Sequence, residues 1–312
     1  MNTNNTKLQR RNSGLLILTA FIWGIAFVAQ STGGDAVGPY TFNCIRFLVG
    51  SLFLVMILPI LDRIRPEQEK QVTTNKKPLI IGGIACGLAL CIASNLQQLG
   101  IYLGSSVGKA GFLTACYIIL VPILGMFFKK KCGWNIWIGV LLTIVGLYLL
   151  CMEGSFTLQT SDILLLCCAF MFAIHILVID HFSPLVDGVR MSCIQFFVAG
   201  VLSSIPMFLM ETGRSMAELQ LWLEPLGSLN SWFPILYAGI FSSGIAYTLQ
   251  IIGQQGVNPT VASLLMSLES VFSVLAGWVL LNETMGLRQL SGCAIIFIAV
   301  ILAQLPIAKS SN

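Results

Sequence analysis

Ten runs of about 20 almost uninterrupted apolar residues divide the sequence. We place them at 14–32, 41–61, 79–101, 105–128, 134–152, 162–181, 190–210, 233–253, 259–281 and 287–306. A helix of that length crosses the hydrocarbon layer of a bilayer, because it rises about 1.5 Å per residue. The runs lack the ten-residue alternation of apolar and polar positions that a membrane β-barrel requires. The sequence therefore predicts an all-α integral membrane protein with ten transmembrane helices.

The scarcity of charged residues excludes an ordinary soluble fold. Only 10% of the 312 residues are Asp, Glu, Lys or Arg, whereas soluble domains contain about 25%. The ten cysteines lie mostly within apolar runs and form neither a C-x-x-C motif nor a cluster with histidine. We interpret them as packing residues and expect no metal site and no cofactor.

The positive charges predict the orientation of the chain. With the N-terminus inside, most of the 17 Lys and Arg residues fall on the inner face, whereas Lys109, Arg214 and Arg288 fall on the outer face. By the positive-inside rule, both termini are cytoplasmic, with tails at 1–13 and 307–312, and the chain is a multi-pass protein of the plasma or inner membrane. An amphipathic stretch at 216–223 is expected to lie in the outer interface.

The two halves of the sequence resemble each other. The segment Cys-Ile-Arg-Phe-Leu-Val at 44–49 is similar to Cys-Ile-Gln-Phe-Phe-Val at 193–198, the pair Leu-Gln recurs at 96–97 and 249–250, and Gly139 matches Gly292. Each half contains five runs, so the halves insert in opposite directions. We predict two inverted five-helix repeats, at 14–152 and 162–306, which is a pattern typical of secondary transporters.

Several motifs resemble the EamA family of the drug/metabolite transporter superfamily. They include Phe-Ile-Trp-Gly at 21–24, Asn-Leu-Gln-Gln-Leu-Gly at 95–100, Gly-Lys-Ala-Gly-Phe-Leu-Thr at 108–114 and Leu-Glu-Ser at 268–270. The resemblance extends from about residue 14 to residue 306 and implies a substrate cavity between the repeats. It also implies transport, commonly export, of small organic solutes such as amino acids. The family often has proline after the glutamate of the ninth span, where this sequence has Ser270.

Ionisable side chains within the spans are the first candidates for function. Glu269 lies near the middle of the ninth span, where it can bind a coupling proton or a substrate amine, or form a structural hydrogen bond. Lys109, in the first turns of the fourth span, can bind a carboxylate, pair with Glu269 or extend its head group to water. Tyr117 borders the same helical stripe, and its hydroxyl needs a partner when buried.

Two further ionisable residues lie within spans. Arg46 cannot lose its charge and must find carbonyl groups, a carboxylate or interfacial water, and we favour a structural anchor over a substrate ligand. His175 can relay protons, but a hydrogen bond to a neighbouring helix is the simpler interpretation.

A layer of uncharged polar side chains occupies matching levels of the third and eighth spans. Such groups cannot face lipid without a large penalty, so they either line a wet cavity or bond one helix to another. We favour the cavity because the two sets are related by the repeat. Trp23, in mid-span, forms either a cavity wall or part of the core. The layer contains Asn95, Gln97, Gln98, Tyr247 and Gln250.

Together these features predict a secondary transporter, an exporter by family resemblance, that moves small polar metabolites by alternating access. The predicted partners are a small-molecule substrate, a proton as the candidate coupling ion and the lipid bilayer, with no nucleic acid and an open oligomeric state. One alternative is a membrane sensor or assembly subunit without transport. The least favoured is an intramembrane hydrolase based on the Gly-x-Ser-x-Gly motif at 104–108, because neither histidine is predicted near it. We therefore expect no catalytic residues.

Overall fold

The computed structural model describes residues 3–64, 76–105, 107–128, 130, 133–151, 159–280 and 286–304. All regular secondary structure in these ranges is helical, so the predicted all-α membrane fold is confirmed. Eight helical stretches within them are long and apolar enough to cross a bilayer, and shorter apolar helices lie at Trp134–Leu150 and Leu287–Ala303. Their positions match the ten predicted runs. The predicted ends at 152, 281 and 306 and the tail 307–312 lie outside the described residues.

The helices are numbered in chain order. The first half contains α1 (Thr3–Val37), α2 (Pro39–Ile64), α3 (Lys76–Tyr102), α4 (Val107–Ala115), α5 (Tyr117–Phe127) and α6 (Trp134–Cys151). The second half contains α7 (Thr160–Phe182), α8 (Gly188–Met210), α9 (Met216–Leu223), α10 (Leu229–Leu236), α11 (Thr248–Gly253), α12 (Pro259–Met266), α13 (Leu268–Leu280) and α14 (Leu287–Gln304). A π-helical segment, Tyr237–Tyr247, joins α10 to α11. Helix α1 begins at Thr3, so most of the predicted N-terminal tail continues the first membrane helix.

The packing of the helices is symmetric under exchange of the two halves. Helix α2 packs on α8, and α6 packs on α14. Helix α3 packs on α7. The contact that corresponds to it under the repeat is the one that α1 makes with the π-helical segment and α11. Likewise α1 contacts α13, and α7 contacts α4 and α5. The fold therefore has the two-repeat architecture that the sequence predicts.

Glycines allow α6 and α14 to approach backbone to backbone. A Cβ atom on Gly292 would lie 2.7 Å from the carbonyl oxygen of Gly146 and 2.8 Å from the backbone nitrogen of Leu150. A Cβ on Gly139 would lie 3.1 Å from the carbonyl oxygen of Ala299. Small residues at such seams stabilise membrane helices through close van der Waals packing. Gly139 and Gly292, which match between the repeats, therefore have the same structural role.

The fourth and ninth predicted spans are both interrupted, at Cys116 and Ser267. The backbone N–H of Ile119 donates to the carbonyl of Cys116 at 3.0 Å. In the same way the N–H of Ser270 donates to the carbonyl of Ser267 at 3.1 Å. The Ser267 hydroxyl also donates to the carbonyl of Leu264 at 2.7 Å, a bond that competes with regular helix geometry. The ninth span thus breaks without a proline at position 270.

Polar contacts tie helices of opposite halves together at one end of the helix bundle. Arg190 at the start of α8 pairs with Asp62 of α2 at 2.7 Å. Lys130, just after α5, pairs with Asp180 of α7. Each ion pair therefore joins one helix from each repeat.

The opposite end of the α2–α8 pair is also tied. Glu211, directly after α8, accepts hydrogen bonds from the backbone N–H groups of Tyr40 at 2.8 Å and Thr41 at 2.6 Å. The hydroxyl of Thr41 also donates to Glu211. A carboxylate at the N-terminus of α2 satisfies free N–H groups and interacts favourably with the helix dipole.

The predicted amphipathic stretch forms α9, which lies outside the long apolar helices. Its first turn is a capping box in which Ser215 and Glu218 cap each other. Hydrogen bonds from the backbone N–H groups of Arg214 and Ser215 lower the pKa of Glu218 below its ordinary value.

Candidate functional site

A small cavity, lined by both polar and apolar side chains, lies where the two interrupted spans meet helices of both halves. Its volume is about 30 Å³, roughly the space of one or two water molecules. Its lining comprises Trp23, Phe27, Gln30, Arg46, Gln97, Thr114, Tyr117, Phe172, Ile176, Ser242, Tyr247, Gln250, Met266 and Glu269. This set contains one carboxyl group and one guanidinium group among uncharged and aromatic side chains.

Glu269 and Tyr117 are brought together by the two helix interruptions. Tyr117 is the first residue of α5 and Glu269 is the second residue of α13. The Tyr117 hydroxyl donates a hydrogen bond to Oε1 of Glu269 at 3.1 Å. The Glu269 residue is only 5% exposed. It lies in the first turn of α13.

Arg46 contributes the positive charge of the cavity lining. Its Nε donates to Oδ1 of Asn43 at 2.8 Å. The guanidinium carbon lies 4.6 Å from the centre of the Phe47 ring and 5.5 Å from that of Phe42. Aromatic faces attract cations, so these rings hold the buried guanidinium in place. Among the residues that the structure describes, no carboxylate forms an ion pair with Arg46.

Aromatic side chains form one wall of the cavity. The rings of Trp23 and Tyr247 are 4.6 Å apart, centre to centre. The indole N–H of Trp23 donates to the carbonyl of Ser242, in the π-helical segment, at 3.3 Å. Trp23 therefore lines the cavity and also packs against the hydrophobic core.

The predicted polar layer divides between the cavity and the helix contacts. Gln97 and Gln250 belong to the lining. The Gln98 amide, in contrast, donates to the carbonyl of Gln30 in α1 at 2.7 Å. The Asn95 amide donates to the hydroxyl of Ser203 in α8 at 2.8 Å. Asn95 and Gln98 therefore join helices and do not belong to the cavity lining.

His175 is fully buried but lies outside the cavity lining. Its Nε2 is hydrogen-bonded to Oε1 of Gln195 at 3.1 Å, a contact between α7 and α8. This geometry corresponds to the simpler interpretation, an interhelical hydrogen bond. Gln195 is the residue that matches Arg46 between the repeats.

Lys109 is also outside the lining, and its carboxylate partner is not Glu269. Its Nζ lies 2.7 Å from Oδ2 of Asp162, whose side chain is fully buried. The same oxygen accepts a hydrogen bond from the backbone N–H of Gln159 at 2.8 Å, which caps α7. Asp162 was not a candidate from the sequence, although an acidic residue in the first turn of a helix is a recognisable capping signal.

Three uncharged polar lining residues were also missed from the sequence. Gln30 and Ser242 are polar residues within predicted spans, and this signal was available. Thr114 is within one of the family motifs, and its hydroxyl accepts a hydrogen bond from the Gln97 amide at 3.2 Å.

Two segments of the chain, 13–152 and 159–305, each match the EamA-like transporter family. An uncharacterized transporter of Archaeoglobus fulgidus is 28% identical over 291 residues, which cover 93% of this chain and 84% of that protein. The uncharacterized inner membrane transporter YedA of Escherichia coli K12 is 21% identical, covering 94% and 90%. One crystal structure superposes with a TM-score of 0.72 at 17% identity, covering 94% of this chain and 96% of the other, which shows a shared fold. The sequence resemblance is thereby confirmed: this multi-pass membrane protein belongs to the EamA-like transporter family.

Proposed function

We propose that the protein is a secondary transporter of the plasma or inner membrane that exports small polar metabolites, such as amino acids, by alternating access. The observation that carries this proposal is the cavity between the two repeats, where one acid and one base line a shared space. Membership of a transporter family supports the general activity. The substrate class and the direction are proposed from the site and from the family resemblance.

Alternating access is supported by the size of the cavity. A volume of about 30 Å³ is smaller than any amino acid requires. Helices must therefore separate before a substrate can enter. The interruptions at Cys116 and Ser267 lie beside the cavity and provide points where half-helices can tilt.

Glu269 is the residue to which we assign coupling. Among the described residues of the cavity lining it is the only one with a carboxyl group, and the Tyr117 hydroxyl orients one of its oxygens. A single carboxyl group can hold either a proton or a cationic substrate amine. Exchange of one for the other would couple proton entry to substrate exit.

Flux in proteoliposomes tests this proposal. The wild type, Glu269→Gln and the matched control Glu218→Gln are reconstituted with an imposed proton gradient and a pool of the common amino acids and related metabolites. Mass spectrometry then measures the movement of each compound. We expect gradient-dependent flux of at least one compound in the wild type and in the control, because Glu218 is exposed in the capping box of α9.

The variants separate the parts of the proposal. Folded Glu269→Gln protein with an unchanged dependence on the gradient would remove Glu269 from coupling. Wild-type flux that does not depend on the proton gradient would indicate facilitated diffusion. Binding without flux would favour the sensor alternative.

A further inference from the structure

The contacts that hold Arg46, two aromatic rings and one side-chain hydrogen bond, include no carboxylate of the described residues. The residue is 2% exposed, and its Nε bond to Asn43 is its one hydrogen bond to another described residue. A guanidinium group has five N–H donors, so the remaining donors still need acceptors. A buried cation is strongly disfavoured unless an anion or several acceptors stabilise it.

The repeat provides an internal comparison for this position. Gln195 occupies the matching place in α8 and is also fully buried. Being neutral, it bonds to His175 and still connects two helices. The fold therefore tolerates an uncharged side chain at this repeat position. A purely structural role for Arg46 would not require a positive charge.

We propose that Arg46 binds the carboxylate of a zwitterionic substrate whose ammonium group is bound by Glu269. This inference rests on the proposed function, because it takes the cavity as the substrate site. Within the part of the chain that the structure describes, Arg46 and Glu269 are the one base and the one acid of the lining. The guanidinium fork matches the two oxygens of a carboxylate.

The rest of the lining limits the substrate further. Beyond the two charged residues it contains aromatic, aliphatic, amide and hydroxyl side chains, with Trp23 and Tyr247 forming the aromatic wall. A charged substrate side chain would find no third charge among the described lining residues. The substrate class is therefore an α-amino acid with free amino and carboxyl groups and an uncharged side chain.

Lys109, the other basic candidate near the fourth span, is engaged elsewhere. Its ammonium group forms the ion pair with Asp162 and does not belong to the cavity lining. Carboxylate recognition therefore falls to Arg46 and not to Lys109.

Binding to the purified protein tests this inference without any variant. Equilibrium dialysis is carried out with each uncharged L-amino acid. The compound that binds most tightly is then compared with the amine that lacks only its carboxylate. We expect the amine to bind at least about tenfold more weakly, because a site built for a carboxylate rejects a ligand that leaves its buried donors unpaired.

Variants of Arg46 give the second readout. We expect Arg46→Gln to bind the amino acid at least about tenfold more weakly and to lose the discrimination against the amine. Arg46→Lys retains the charge without the fork and should fall between the two, which keeps the test informative if Arg46→Gln does not fold. Glu218→Gln serves as the matched control with unchanged binding.

Several results would overturn the inference. These are equal binding of amine and amino acid to the wild type, undiminished binding by folded Arg46→Gln, or no binding of any amino acid. Flux measured on the same preparations separates this failure from that of the proposed function. Transport of a compound without a carboxylate leaves transport intact and refutes the role of Arg46. Arg46-dependent binding without flux refutes transport and leaves the recognition of the carboxylate intact.

Discussion

Lys109 and Asp162 form an ion pair at 2.7 Å that joins α4 to α7. The Asp162 side chain is fully buried, and that of Lys109 is 19% exposed. At an effective dielectric constant of about 20, two unit charges at this distance attract each other by roughly 6 kcal/mol. Desolvation of the carboxylate offsets a large part of that attraction. We expect a net coupling free energy of about 2–3 kcal/mol.

A double-mutant cycle measures this coupling. Lys109→Met, Asp162→Asn and the double variant are unfolded in sodium dodecyl sulfate, with tryptophan fluorescence as the signal. Each single variant should lose about 2–3 kcal/mol of unfolding free energy, and the double variant should lose little more than one single variant. Substrate binding per folded molecule should not change, because the pair lies outside the cavity lining. A coupling below about 0.5 kcal/mol would refute the electrostatic reasoning. Loss of binding in the folded variants would return Lys109 to the substrate site.

Three further predictions follow from single contacts. Tyr117→Phe removes the hydroxyl that donates a hydrogen bond to Glu269, and such a bond contributes about 1.5–3 kcal/mol if the acceptor is charged. We therefore expect flux in proteoliposomes to fall about tenfold or more. Unchanged flux would show that this bond does not matter for transport. Gly292→Ala places a Cβ 2.7 Å from a backbone oxygen and should lower the unfolding free energy by about 1–3 kcal/mol, whereas Gly227→Ala, with no atom within 4 Å of the new Cβ, should not. The pKa of Glu218 is lowered from 4.5 by backbone hydrogen bonds, so Glu218 stabilises α9 above that value and loses this effect as the pH falls through the lowered pKa. The protection of the α9 amides, measured relative to the intrinsic exchange rate at each pH, should therefore fall on acidification in the wild type and not in Glu218→Gln.

The helices could be predicted because apolar runs of membrane length allow little else. The interruption of the ninth span could not be predicted, because neither proline nor glycine marks Ser267. The interruption accompanies a hydroxyl bond to the carbonyl of Leu264 that hydropathy does not reveal. No sequence pattern indicates the π-helical segment either. It lies where Gly50 meets the backbone of Gly239, a close tertiary approach in which a Cβ on Gly50 would be 2.9 Å from the Gly239 oxygen.

The residue types of the candidate site could be predicted from the sequence, but the directions in which their side chains point could not. Glu269 and Tyr117 were recognisable as polar groups within membrane helices, and the structure places them in contact. Their roles in transport stay predictions. Successive residues of a helix point about 100° apart, so Gln97 faces the cavity while its neighbour Gln98 bonds to α1. For Lys109 the sequence left open a carboxylate ligand, a pair with Glu269 or a head group in water, and the partner is an aspartate of another helix whose proximity no local pattern shows.

The polar contacts at the ends of the helices also have a mechanical consequence. Helices α2 and α8 are joined by charged groups at both ends, and so are the interrupted span α4–α5 and α7. Two helices that are joined at both ends resist both separation and rotation relative to each other. When the cavity opens, each helix pair should therefore move as one rigid body. Since each rigid body contains helices from both halves of the chain, the units that move do not coincide with the sequence repeats.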